Sequence, residues 1–180
     1  MNQTDRESLW VLRAQAGDRD ALGLLLRSIQ PSLQRVAHGL VGTSGSDDVV
    51  QETLILVYRN LGQLLRPELL RPWAFRIAKR VGLRHLKKER RSLEDPEEDA
   101  HSETIPVDET PPTDETLTEL LEQGSVSPAS RTVLVLHFQE GLSLPEVAAV
   151  LELPLGTVKS RLAYGLAVLR RRLHQHGSPR

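Results

Sequence analysis

A chain of 180 residues, 39% hydrophobic and 26% charged, can bury one core or two small ones. No apolar run approaches the roughly 18 residues of a membrane span, and the start MNQTDRESLW lacks a basic-then-apolar secretory signal, so a cytoplasmic protein is expected. Zero cysteines exclude disulfides and thiolate metal sites, and the net charge of -1 hides a division: twelve acidic residues and no Lys or Arg lie between Ser92 and Gly124, leaving 23 basic against 12 acidic residues elsewhere.

Residues 5–16 read as a short helix closed by Gly17, and Asp18 to Leu40 as a longer one. Leu22, Leu25, Ile29, Leu33, Val36 and Leu40 keep helical spacing across Pro31, which predicts a kink or break there within continuing helix. GTSGS at 42–46 predicts a turn. The next helix is expected to open at Asp47 and Asp48, where a carboxylate caps free amides and Gln51 completes a capping box. Val50, Leu54, Val57 and Leu61 then form its buried stripe, leaving Asp47, Asp48, Gln51 and Glu52 as an acidic outer corner. Acids gather at helix starts because of the macrodipole alone, so the corner is either a cap or a binding surface.

Asn60 to Arg71 reads as a loop or short helical turn, with Pro72 as the first residue of a new helix. From Arg71 to Arg91 nine of 21 residues are basic: Arg71, Arg76, Lys79, Arg80, Arg84, Lys87, Lys88, Arg90 and Arg91. Trp73, Ala74, Ile77, Ala78 and Val81 supply the inward face, and the outer side is cationic. Trp73 and Phe75 stand at its start, so the helix combines rings with positive charge as single-strand-binding surfaces do; the alternative places the rings in the core and the cations in water, and Trp73 is expected in the core. Leu93 to Thr116 is acidic, contains four prolines and few large apolar residues, the composition of a flexible linker. Thr116 to Gln123 is expected to begin a second domain with a helical turn.

A helix from Pro128 to Gln139, capped by Ser127, should bury Leu134, Val135 and Phe138 before Gly141 ends it. Ser143 and Glu146 form a capping box for a helix whose apolar face is Val147, Ala148 and Leu151, and Glu152-Leu153-Pro154 breaks it. Val158, Leu162, Leu166, Leu169 and Leu173 mark the buried stripe of a second helix, while Thr157, Lys159, Ser160, Arg161 and Tyr164 face outward. Short hydroxyls and long cations near the start of a second helix suit base edges and phosphates in a major groove; an ordinary helical hairpin with a solvated face is the alternative. Gly165 within this helix costs roughly 1 kcal/mol against alanine. His38, His85, His101, His137, His174 and His176 form no credible metal set, and no catalytic constellation or phosphate-cradling glycine loop is present, so neither an enzyme nor a cofactor is expected.

Taken together, SDDVVQETLILVYRNL, WAFRIAKRVGLRHLKKERR and SPASRTVLVLHFQEGLSLPEVAAVLELPLGTVKSRL resemble, in that order, three segments of the extracytoplasmic-function sigma factors of the sigma-70 family. The resemblance covers nearly the whole chain and is most specific in EGLS, EVA and GTVKSRL. It implies an all-α fold of two small helical domains, residues 1–91 and 116–180, joined by a flexible acidic linker at 92–115, the second domain being helix-turn-helix. It implies a bacterial transcription initiation factor with core RNA polymerase, promoter DNA and an anti-sigma protein as partners.

By position, Asp47, Asp48, Gln51 and Glu52 match the motif that docks on the clamp helices of the largest polymerase subunit. Arg76, Lys79, Arg80, Arg84, Lys87 and Lys88 lie where the family binds the opened non-template strand at the proximal promoter element. The 60–71 loop corresponds to the segment receiving a flipped-out base. Thr157, Lys159, Ser160 and Arg161, with Tyr164 beside them, match the recognition helix on the distal element. Arg80 stands where asparagine is usual and Arg84 where aspartate is common, so the proximal sequence preference does not transfer; in the distal recognition helix, Tyr164-Gly165 replaces a commoner basic pair. Two other readings stay open: a sigma-like factor that binds polymerase or an inhibitor without reading promoters, and a helix-turn-helix response regulator, which would need a receiver of alternating strands and helices where the first 90 residues read as helical.

Overall fold

The computed structural model describes residues 2–93 and 126–176, with side-chain environments for 2–90 and 126–173; the acidic segment and the expected helical turn at 116–123 lie outside them. Every regular element among the described residues is helical. The chain divides into two compact units, Met1–Glu94 and Asp95–Arg180.

The first unit holds four helices: α1 (Gln3–Gln15), α2 (Arg19–Val41), α3 (Thr43–Asn60) and α4 (Leu70–Leu93). Asn2 and Asp5 cap α1 reciprocally, so the helix begins at Gln3, two residues before the expected start. Gly17, at φ 96°, turns the chain, and the Asp18 carboxylate accepts from the amides of Asp20 and Ala21 at the start of α2. Helix α2 passes through Pro31 without a break, because Ile29, Ser32 and Leu33 on either side are all buried. Val11, Leu25, Leu33, Val36, Val49, Val57, Leu70, Ala74, Phe75 and Val81 form the core of this unit. Phe75 is fully inside, while Trp73 and Ile77 are half-buried, so the inward face of α4 is centred on Leu70, Ala74, Phe75, Ala78 and Val81.

Two expectations about α3 are corrected. Its first residue is Thr43, so TSGS is helix and not turn, and Asp47 and Asp48 lie past the first turn without acting as caps. The reversal is made by one residue, Gly42 at φ 77°, a left-handed conformation that L side chains rarely adopt. The smallness of TSGS serves packing instead: a Cβ on Gly45 would lie within 2.9 Å of His85 Cδ2, so α3 and α4 approach closely there. Similarly, α4 begins at Leu70 and not at Pro72, preceded by two short 3₁₀ turns, Leu61–Gln63 and Pro67–Leu69. The Gln15 side-chain amide donates to the carbonyls of Leu61 (2.8 Å) and Leu64 (3.0 Å), fixing this connection against α1.

Arg71 does not belong to the outer cations. Its Nε and a terminal nitrogen donate to the two Glu7 oxygens at 2.9 and 2.8 Å, and its other nitrogen to Ser32 Oγ at 2.6 Å. With Glu7 only 3% exposed, this ion pair ties α1, α2 and α4 together through a bidentate contact.

In the second unit, Ser127 caps α5 (Pro128–Leu134), which widens into a π-helical turn over Val135–Gln139. The wider turn retards the helical phase, so Leu136 is buried where Phe138, only half-buried, was expected. The amide of Glu140 donates to Val135 O at 3.0 Å, and Gly141 at φ 70° ends the element. Helix α6 (Leu144–Leu151) opens on the predicted capping box, with the Ser143 amide 2.8 Å from a Glu146 oxygen. It buries Val147, Val150 and Leu151; Ala148 is half-buried. Glu152 takes the left-handed conformation, and α7 (Leu155–His176) follows. Val158, Leu162, Leu166 and Leu169 are buried as expected, whereas Leu173 is 40% exposed because the stripe outruns its partner helices.

Candidate functional site

Three surfaces carry the residues singled out by sequence. On α3, Asp47, Asp48, Gln51 and Glu52 are all exposed. Asp47 accepts from Gln34 Nε2 of α2 at 2.8 Å, and Glu52 is ion-paired with Arg84 of α4. The same face continues into two apolar side chains that sequence reading passed over, Ile55 and Tyr58, the latter 58% exposed. Their spacing from Asp48 and Gln51 is that of one helix face, so the corner is a mixed acidic and apolar surface. The signal was available: both fall off the buried stripe.

On α4, Arg76, Arg80, Arg84, Lys87 and Lys88 are exposed and Lys79 half-buried. Arg76, Arg80 and Lys87 recur at helical spacing opposite the buried face, while Arg84 and Lys88 stand at its edge. Leu83, between Arg80 and Arg84, is exposed within the cationic surface. Beside this helix start, Leu65 is 90% exposed in the 60–71 connection, whose neighbouring Leu64 is buried. Arg66 and Glu68 pair across 2.8 Å on the same connection, and this contact, after a backbone hydrogen bond, holds the Glu68 carboxyl below its ordinary value.

On α7, the buried Val158 and Leu162 hold the helix so that Lys159 and Tyr164 are exposed and Thr157, Ser160 and Arg161 half-exposed. Ser160 Oγ donates to Thr157 O at 3.0 Å, so its proton is engaged within the helix and its lone pairs are what it offers outward. Gly165 is more than a weak helix former: a Cβ there would meet Leu134 Cδ1 at 2.8 Å, so its absence lets α7 lie against α5. Among the described residues no group of three His, Asp or Glu side chains is placed to hold a metal ion, and no helix is long and apolar enough to cross a membrane.

Comparison with known proteins fits these surfaces into a family. Residues 25–92 match Sigma-70 region 2, and residues 124–171 match Sigma-70, region 4, together most of the chain. The ECF RNA polymerase sigma-E factor of Escherichia coli (strain K12) is 28% identical over 174 residues, covering 90% of this chain and 91% of that protein. That of Haemophilus influenzae is 28% identical over 164 residues, covering 84% and 87%. Among solved structures, CnrH in complex with the cytosolic domain of CnrY aligns with a TM-score of 0.61 at 24% identity, covering 96% of this chain and 99% of that one. The sigma factor RpoE in complex with the anti-sigma factor NepR from Bartonella quintana aligns with a TM-score of 0.62 at 22% identity, covering 83% and 94%. These two likenesses establish the fold, and the paired regions in their order establish the rest: the chain belongs to the sigma-70 family and is an extracytoplasmic-function sigma factor, a transcription initiation factor.

Proposed function

We propose that the two units divide the work of initiation. The first, residues 1–91, docks on the clamp helices of core RNA polymerase through Asp47, Asp48, Gln51 and Glu52, extended by Ile55 and Tyr58. Its α4 face, with Arg76, Lys79, Arg80, Arg84, Lys87 and Lys88, holds the opened non-template strand by phosphate contacts. Leu65 and Leu83 meet unstacked bases there as apolar contacts. Opening duplex DNA costs a few kcal/mol per unstacked step, and captured bases with neutralised phosphates offset it. The second unit, residues 116–180, fixes register upstream by placing Thr157, Lys159, Ser160, Arg161 and Tyr164 of α7 in the major groove of the distal element. The linker at 92–115 joins them. The protein acts in the cytoplasm, without catalysing a reaction itself. An anti-sigma protein as an inhibitory partner is supported by the complex recorded for the Bartonella quintana neighbour.

The observation that carries this reading is the placing of an exposed acidic corner and an exposed cationic face on adjacent helices of one unit. Run-off transcription with core polymerase, with and without the protein, on promoter fragments from its own genome tests it. Specific transcripts that require the protein are expected, and Arg161→Ala should cut discrimination at one distal base position by about 1 to 3 kcal/mol if Arg161 meets a base edge. The engagement of Arg84 by Glu52 favours a second reading, a factor that binds polymerase without reading promoters; binding to core with no initiation on any fragment would select it.

A further inference from the structure

One contact joins the two proposed surfaces of the first unit. Glu52 is on the polymerase-docking corner of α3, and Arg84 is on the strand-binding side of α4; the two are ion-paired across the helices, 32 residues apart in sequence. Neither side chain is buried: Arg84 is 62% and Glu52 49% exposed. The helices that carry them are closely packed, since a Cβ on Gly45 of α3 would lie within 2.9 Å of His85 Cδ2 of α4, and one on Gly82 of α4 would lie 3.3 Å from Leu40 Cδ1 of α2.

We infer that the Glu52–Arg84 pair links polymerase docking to strand binding, each partner releasing the residue the other needs. The inference rests on the docking and strand-binding assignments above. An acidic corner fits a cationic partner, but Arg84 already neutralises one of its three carboxylates, so a polymerase cation reaching Glu52 displaces that guanidinium. Released, Arg84 stands at the edge of a surface with Arg80, Lys87 and Lys88, where like charges favour an incoming phosphate. A phosphate taking Arg84 leaves Glu52 ionised and open to polymerase. Because the coupling is a binding free energy, it acts equally in both directions. An exposed pair of this kind supports a coupling of about two- to fivefold at low salt, fading as salt screens it.

The test is a double-mutant cycle in the full chain, using Glu52→Gln, Arg84→Gln and the double variant, with Asp48→Asn as a control for general charge. Affinity for a fluorescent single-stranded oligonucleotide is measured on the free protein, and affinity for core polymerase separately. Glu52→Gln should tighten oligonucleotide binding about two- to fivefold beyond the effect of Asp48→Asn, and lose that excess in the Arg84→Gln background. Arg84→Gln should tighten core binding by a similar factor. Equal effects of Glu52→Gln with and without Arg84 overturn the linkage, as does weaker core binding by Arg84→Gln, which would make Arg84 a positioning residue for the corner. If neither Asp48→Asn nor Glu52→Gln changes core affinity, the docking assignment itself fails, and the polymerase arm of the linkage falls with it whatever the oligonucleotide cycle gives.

Discussion

At Gly165 an added methyl would lie 2.8 Å from Leu134 Cδ1 and 3.3 Å from its Cγ. Leu134 is fully buried, so it has little room to yield. Helix propensity alone favours Gly165→Ala by about 1 kcal/mol, while overpacking a filled core costs about 1 to 3 kcal/mol. The second should win, and chemical denaturation should find Gly165→Ala less stable; a more stable variant would show that α5 and α7 can move apart. From sequence this glycine reads as a defect in a helix. Its role depends on a neighbour 31 positions away, which periodicity does not reveal.

Among the elements, the joint of α1, α2 and α4 at Glu7 and Arg71 is the most exposed to single changes. Arg71→Ala leaves the Glu7 carboxylate buried without its cation and should cost about 3 kcal/mol, whereas Glu7→Leu with Arg71→Met should cost far less, since apolar replacement removes both desolvation penalties. Urea denaturation of both variants checks this. The capping box of α6 makes a pH prediction: hydrogen bonds from the Ser143 hydroxyl and amide hold the Glu146 carboxyl below its ordinary value. A carboxyl depressed in the folded state contributes stability that is complete above its unfolded value and is lost as pH falls through the folded one. The protection factors of the α6 amides, exchange rates corrected for their intrinsic pH dependence, should therefore fall on acidification below the ordinary glutamate range, and Glu146→Gln should flatten that response.

Much at this scale was legible. The Ser143 box, the Val158 to Leu169 stripe and the long helix through Pro31 follow from spacing and side-chain chemistry that act locally. What was not legible depends on distant contact. TSGS has turn composition, yet Gly42 alone turns the chain and Gly45 admits His85. Arg71 looks like its eight basic neighbours until Glu7, 64 residues earlier, is brought against it. For the candidate site, the charged residues could be assigned to surfaces from sequence, and Ile55 and Tyr58 fall off the buried stripe, but Leu65 and Leu83 could not be assigned, because an exposed apolar residue in a connection or on a cationic face is marked only by the buried ones around it.

For the whole molecule, charge is segregated along the chain: twelve acids and no Lys or Arg in 92–124, against a basic excess in the remainder. If charge alone governs, such a segment should screen the basic surfaces from a polyanion. Replacing its Asp and Glu by Asn and Gln should strengthen DNA binding by the free protein at low salt and matter little at high salt. Unchanged affinity at low salt would remove electrostatic screening as a restraint on the free factor.

The junction at Gly42 has a further consequence. Because one residue joins α2 to α3, the acidic corner has no loop slack, and Gln34 of α2 also holds Asp47. A binding face carried on a mobile loop loses conformational freedom when it is captured, and that loss is subtracted from affinity. Here the backbone has been ordered during folding. If the corner docks on polymerase as proposed, its capture costs little conformational entropy beyond that of its side chains.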